Sequence, residues 1–196
     1  MLAVVGTMGV GKTTVAQIIS EEWGHDVFKE RPEANTFLRG QYSDRPRYAF
    51  QTQMWFLMDI YQQIQQAQNG SRNAVFDAWI TQYAESYARA VLSKDELTVY
   101  TQLYDELTTR IQQPSLLIYL RADIPEILKR CRGRDRDFEK NVGVAYLTTL
   151  DEFNREWIAA SMLPKVIIET DGLDIVRSTR ARQQMLTAIE CARNTK

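Results

Sequence analysis

Residues 6–13 constrain this chain more than any other stretch. Gly6-Thr7-Met8-Gly9-Val10-Gly11-Lys12-Thr13 sets glycines, a lysine and a threonine at the spacing of a phosphate-binding P-loop. The apolar residues 2–5 precede it and the amphipathic residues 12–23 follow, which is the strand–loop–helix context such a loop requires. Each residue type answers a physical need. Glycines let the backbone turn tightly enough for successive N–H groups to converge on one anion. The positive end of the following helix adds to that attraction. Lys12 is placed to reach the β- and γ-phosphates, and the Thr13 hydroxyl to ligate Mg²⁺. Gly6, Thr7, Met8, Gly9, Val10, Gly11, Lys12, Thr13 and Thr14 are therefore the candidate nucleotide-binding residues, with ATP and Mg²⁺ as the implied cofactors.

The rest of the chain alternates in the same way. Short apolar runs at 2–5, 26–29, 74–77, 115–121 and 165–169 are separated by longer amphipathic stretches at 12–23, 47–68, 93–112, 125–133, 144–162 and 175–193. That alternation predicts an α/β domain with a five-stranded parallel sheet covered by helices on both faces. Gly24 and Gly70 close two of the helices, Pro46 stands at the mouth of another, and Ser93-Lys94-Asp95-Glu96 reads as a capping box. The one long irregular stretch is 31–45, and loops of that length in compact domains are usually functional. At roughly 150 residues per domain, 196 residues make a single domain, 1–196.

Composition narrows the function classes. With 24 Lys+Arg against 25 Asp+Glu the formal net charge is −1, so the basic excess of a dedicated nucleic-acid binder is absent. The apolar runs fall far short of the roughly 18 residues that span a bilayer, and the opening strand pattern does not read as a secretory signal. Two cysteines, Cys131 and Cys191, make neither a disulfide framework nor a zinc site. The expectation is a soluble cytoplasmic protein that binds neither nucleic acid nor membrane. Within the neutral total, 17 of the 24 cations are arginine, the better bidentate partner for phosphate.

The sequence also separates the P-loop classes. The Asn-Lys-x-Asp motif of a GTPase is absent, and Val75-Phe76-Asp77 is followed by Ala78 rather than the glutamate of motor and helicase ATPases. A small chain with an early P-loop and a late arginine cluster fits a nucleoside or nucleotide kinase. Glu30, at the end of the second strand, is a candidate base for an acceptor hydroxyl; the alternative is a surface glutamate beside Arg31. Asp77, at the end of the third, is a candidate for Mg²⁺ or its waters, or else a cap for a helix starting near Thr81. Residues 130–136 hold Arg130, Arg132, Arg134 and Arg136. At 100° per residue Arg130 and Arg134 share one face and Arg132 and Arg136 another, and the segment reads as an Arg-rich lid at about 130–142 or as a solvated basic face or nucleic-acid patch.

Taken together these residues resemble the deoxynucleoside kinase family, which includes deoxycytidine, deoxyguanosine and deoxyadenosine kinases. The likeness runs from the P-loop to Tyr146-Leu147. It implies ATP-dependent phosphorylation of a deoxyribonucleoside 5′-hydroxyl, with Glu30 as general base. The aromatic-x-Phe-x-x-Gln helix is matched by Tyr48-Ala49-Phe50-Gln51-Thr52-Gln53, so Gln53 inherits the base-reading role. Tyr42, eleven residues earlier, inherits the sugar contact and shares it with Glu139. Leu117-Ile118-Tyr119-Leu120 and then Arg130, Arg134, Arg136 and Glu139 match the family's strand and lid, which makes those three arginines phosphate clamps; Arg132 has no counterpart. Homodimers through the long helix are common in the family, and Trp55, Phe56 and Tyr61 lie on that helix.

The chain also departs from the pattern. Asp77-Ala78-Trp79 stands where the family has Glu/Asp-Arg-Ser, so the arginine near the base is lost. Ile60 and Tyr83 occupy the places of an Arg–Asp pair found in some base pockets; losing both leaves no orphan charge. Two other readings stay open at this level. One is a thymidylate kinase-like monophosphate kinase, for which Arg31, Arg39, Arg45 and Arg47 offer acceptor-phosphate cations. The other is a nucleotide-binding regulator of impaired catalysis. His25, the only histidine, is expected to be a loop residue.

Overall fold

In the computed structural model, which describes residues 1–70, 73–133 and 142–194, β1 (Leu2–Val5) runs through the middle of a five-stranded sheet. It is flanked by β3 (Ala74–Phe76) and β4 (Leu116–Arg121), with β2 (Asp26–Phe28) and β5 (Lys165–Glu169) at the edges. All pairings are parallel, and the central register sets Leu2 opposite both Val75 and Leu116. The five strands lie where the apolar runs place them.

Their side chains explain why those runs read as continuous rather than alternating. Leu2, Val4, Leu116, Ile118 and Leu120 pack into one cluster, with Val15 and Ile19 of α1 (Lys12–Trp23), Ile127 of α7 (Ile124–Arg132) and Ile189 of α9 (Thr179–Asn194). Ala3, Val5, Leu117 and Tyr119 face the opposite cluster, with Leu57 and Ile60 of α3 (Arg45–Gly70), Tyr100 of α6 (Lys94–Thr108) and Trp157 of α8 (Val144–Ala160). Both faces of the strands are covered, so apolar residues are needed at every position.

The helix signals are met in detail. α1 stops at Gly24, whose left-handed φ of 65° lets its N–H reach back to the Ser20 carbonyl. The Ser93 hydroxyl accepts the Glu96 N–H while Glu96 Oε2 accepts the Ser93 N–H, completing the capping box of α6. α3 begins two residues before the expected start, with Pro46 inside its first turn, where its missing N–H costs nothing.

Two segments carry structure that the sequence pattern left open. Residues 31–45 contain a 3₁₀ turn, Pro32–Ala34, and the short α2, Leu38–Ser43. Asn35 organises them: its side chain accepts the Phe37 N–H and donates to the Thr52 carbonyl of α3. Gly40 completes the contact, because a Cβ there would stand 2.5 Å from the Tyr48 ring. Residues 80–91, which lack a clear period, form α4 (Ile80–Gln82), a π-helical segment (Tyr83–Ala88) and α5 (Arg89–Val91). Among the described residues no helix is long and apolar enough to cross a membrane.

Candidate active site

The P-loop, Glu30 and Asp77 leave β1, β2 and β3 at their carboxyl ends, beside the point where the chain switches from one side of β1 to the other. Open parallel sheets bind ligands at that crevice. The loop's backbone depends on glycine at two places in particular. A Cβ on Gly6 would stand 2.4 Å from the Leu120 carbonyl oxygen, and one on Gly9 2.7 Å from Cys131 Sγ; both residues have positive φ. Lys12 is 8% exposed, and its Nζ donates to the Gly6 and Thr7 carbonyls at 3.0 and 3.3 Å, which holds the ammonium inside the loop.

A buried polar network supports the loop from beneath. Gln82 Nε2 donates to the Gly6 carbonyl at 2.7 Å and to Asn154 Oδ1 at 2.9 Å. Asn154, fully buried on α8, also accepts from Ser86 and donates to the Thr7 hydroxyl and to the Leu150 carbonyl. From the other side Arg130 donates to the Val10 carbonyl and to Thr170, while its Nε pairs with Glu126. Arg130 thus ties the segment after β5 to the P-loop. Arg134, Arg136 and Glu139 lie outside the described residues.

Asp77 is 2% exposed and connects the phosphate loop to the acceptor side. Its Oδ2 accepts the Thr13 hydroxyl and its Oδ1 accepts the Glu30 N–H, each at 2.6 Å. Thr14 is exposed on the first turn of α1. A hydroxyl and a carboxylate so paired are hard oxygen ligands. Mg²⁺ usually takes one or two such protein ligands and fills its octahedron with water and substrate phosphate. Thr13 and Asp77 therefore fit the ion, although the described residues hold no group of three His, Cys, Asp or Glu.

Next to this bridge lies a cavity of about 710 Å³, counted with its open mouth. Met8, Gly9, Lys12 and Thr13 line one end; Glu30, Tyr42, Gln53, Phe56 and Tyr83 line the other. The sequence candidates Glu30, Tyr42 and Gln53 thus meet in one chamber with the loop. Gln53 Nε2 donates to Gln41 Oε1 at 3.0 Å, and among the described residues its own Oε1 is buried without a partner. The Tyr42 hydroxyl lies 4.0 Å from Met8 Sδ.

Several residues of the chamber escaped sequence reasoning. Gln41 and Tyr87 carry no motif, and Tyr83 registers there only as a departure. In the fold its hydroxyl donates to Glu30 Oε1 at 2.5 Å. Burial, reinforced by the Glu30 charge, pushes the phenols of Tyr83 and Tyr87 well above the usual tyrosine value. Burial likewise raises Tyr146. Of the arginines near the acceptor side, Arg31 pairs with buried Asp59, Arg45 lies over the Tyr146 ring at 5.0 Å, and Arg47 over the Tyr48 ring at 5.2 Å. Arg39 is exposed on α2.

Residues 2–192 match the model of a family described as deoxynucleoside kinase. A deoxyguanosine kinase of Bacillus subtilis (strain 168) is 31% identical over 153 residues, which cover 76% of this chain and 73% of that protein. A deoxyadenosine/deoxycytidine kinase of the same organism is 24% identical over 197 residues, covering 96% of this chain and 91% of the relative. Among solved structures, deoxyadenosine kinase from M. mycoides, with dCMP and a flexible dCDP bound, superposes with a TM-score of 0.83 at 23% identity. That match covers 97% of each chain and supports the fold.

Proposed function

The chain belongs to the deoxynucleoside kinase family and uses ATP to phosphorylate the 5′-hydroxyl of a deoxyribonucleoside; within that activity, we propose that Glu30 is the general base. The observation that carries this reading is the Asp77 carboxylate, which joins the Thr13 hydroxyl on one oxygen and the Glu30 N–H on the other. The bridge sets a carboxylate at the edge of the phosphate loop, facing the cavity that Tyr42 and Gln53 also line.

The 5′-hydroxyl gives its proton to Glu30 as its oxygen bonds to the γ-phosphorus, and the bond to the ADP oxygen breaks. Lys12 and the loop N–H groups hold the phosphates, which fixes the line of attack. Thr13 and Asp77 would hold Mg²⁺, which would neutralise phosphate charge. Gln53 reads the base edge, aligned by Gln41. Tyr42 and Glu139 contact the sugar. Arg130, Arg134 and Arg136 are proposed as phosphate clamps on the family resemblance, Arg130 being held by the Val10 carbonyl, Thr170 and Glu126.

A homodimer through α3 is part of the proposal, supported by exposed Met58 beside half-buried Trp55 and Tyr61. A reducing cytoplasmic setting is also part of the proposal, supported by Cys131 and Cys191 not being disulfide-bonded. The test follows product and ADP release with Mg-ATP and each deoxynucleoside and its monophosphate. Glu30→Gln is expected to lower turnover by about 100- to 10,000-fold while ATP binding stays within about twofold; unchanged turnover removes Glu30 as the base.

A further inference from the structure

We propose that Tyr83 is a positioning residue for Glu30: its buried hydroxyl holds one carboxylate oxygen so that the carboxylate presents a fixed edge to the acceptor. This rests on the reading of Glu30 as the base.

Glu30 lies just past the loop-side end of β2, where a long side chain on an irregular backbone has several rotamers open to it. Contacts with two described residues restrict it. Its backbone N–H is held by Asp77 Oδ1 at 2.6 Å, and its Oε1 accepts the Tyr83 hydroxyl at 2.5 Å. The donor is itself closely packed. Tyr83 is 3% exposed, and its ring stacks on Phe56 with centroids 5.3 Å apart and planes 12° apart. Tyr87 packs at 5.7 Å on another side. A phenol so confined cannot follow the carboxylate, so the carboxylate is oriented by the phenol.

The local backbone explains how the side chain arrives there. Tyr83 opens the π-helical segment Tyr83–Ala88 directly behind the three residues of α4. A π turn widens the helix and rotates the residues that follow, and such turns recur at functional sites. The same turn region carries Gln82, which donates to the Gly6 carbonyl. Adjacent residues of one segment therefore bond to the phosphate loop and to the base. Ala78, the residue after Asp77, is buried and has no polar group with which to serve that purpose.

The chemistry suits positioning rather than proton transfer. Burial and the neighbouring carboxylate keep the Tyr83 proton on its oxygen, so Tyr83 donates at every working pH and competes for no substrate proton. A carboxylate offers about four acceptor sites, and this bond uses one. Charge-assisted hydrogen bonds are roughly twice as strong as neutral ones. Misplacing a reacting group by about 1 Å costs about 100-fold in rate.

The test compares wild type, Tyr83→Phe, Glu30→Gln and the double variant as full-length enzymes with Mg-ATP and the accepted deoxynucleoside. Tyr83→Phe keeps the ring on Phe56 and is expected to lower kcat by about 10- to 100-fold, with both KM values within about twofold. In the double variant the losses are expected not to multiply, because a misaligned carboxamide loses nothing further. A wild-type kcat in Tyr83→Phe, a loss confined to KM, or multiplicative losses would each overturn the proposal. Full turnover in Glu30→Gln sinks the underlying assignment of the base instead. A second measurement needs no Tyr83 variant: the wild-type protein should show one slowly exchanging downfield hydroxyl proton resonance that disappears in Glu30→Ala. Its absence from the wild-type spectrum also overturns the proposal.

Discussion

The Thr13 hydroxyl donates to Asp77 Oδ2 across 2.6 Å, joining the first turn of α1 to the end of β3. Because the other Asp77 oxygen accepts the Glu30 N–H, a single buried carboxylate sets the distance between donor and acceptor machinery. Asp77→Asn turns one acceptor oxygen into an NH₂ group, which then confronts either the Thr13 hydroxyl or the Glu30 N–H. The expected result is at least a roughly tenfold rise in the Mg²⁺ concentration for half-maximal activity, together with a fall in kcat. A Mg²⁺ titration at saturating ATP reads it, and an unchanged midpoint contradicts the bridge's role.

Gly9 is the tightest point of the phosphate loop against α7. Its φ is +82°, and a Cβ at this position would stand 2.7 Å from Cys131 Sγ, so Gly9→Ala strains the backbone and crowds its neighbour. A residue forced into the left-handed region costs about 1–2 kcal/mol. The melting temperature should therefore fall by about 2–8 °C, and the KM for Mg-ATP should rise as the loop is displaced. Adding Cys131→Ala should recover part of the loss, because it removes the sulfur but leaves the backbone strain; steady-state kinetics on both variants checks this.

Asn154 is a test of stability more than of chemistry. Asn154→Ala leaves the Ser86 hydroxyl without its acceptor, removes one acceptor from Gln82 and removes the donor to Thr7. An unsatisfied buried polar group costs about 1–3 kcal/mol, so a total of about 2–4 kcal/mol is expected. Urea unfolding should show a lower midpoint with an unchanged slope. The same variant should weaken ATP binding, because Gln82 is also a support of Gly6.

His25 is buried just before β2, its Nδ1 donating to the Trp23 carbonyl at 3.3 Å. Burial lowers its pKa, Arg193 adds to the effect, and the Trp23 carbonyl and Asp26 oppose it. The unfolded chain therefore binds the proton more readily than the folded one. The stability linked to His25 is complete above the unfolded value of about 6.5 and is lost as pH falls through it toward the lowered folded value. His25→Asn should flatten the decline of the urea midpoint between about pH 7.5 and 5.5; parallel declines would assign that pH dependence to other groups.

Much of this protein is legible from its sequence, because the legible signals are local. The capping box at Ser93, the apolar runs of all five strands and the glycine loop each act over a few residues, so spacing reports them. Glu30 and Asp77 could be named because strand ends marked them, and Tyr42 and Gln53 because the family resemblance did. Gln41, Tyr83 and Asn154 could not, since each acts through a partner distant in sequence: Gln53, Glu30 and Gln82 respectively. The π turn at 83–88 is likewise invisible to a helix period of 3.6.

The sequence by itself determined the class of chemistry, since a glycine loop followed by Lys12 and Thr13 specifies a phosphate cradle through backbone geometry and charge alone. Tertiary structure decided what the cradle works with. Residues 13, 30, 77 and 83 come from four separate segments and share one hydrogen-bonded chain only because the parallel sheet brings the carboxyl ends of β1, β2 and β3 to one edge. Side-chain type can be read along the chain, but a hydrogen bond of 2.5 or 2.6 Å exists only once packing has brought its two ends together.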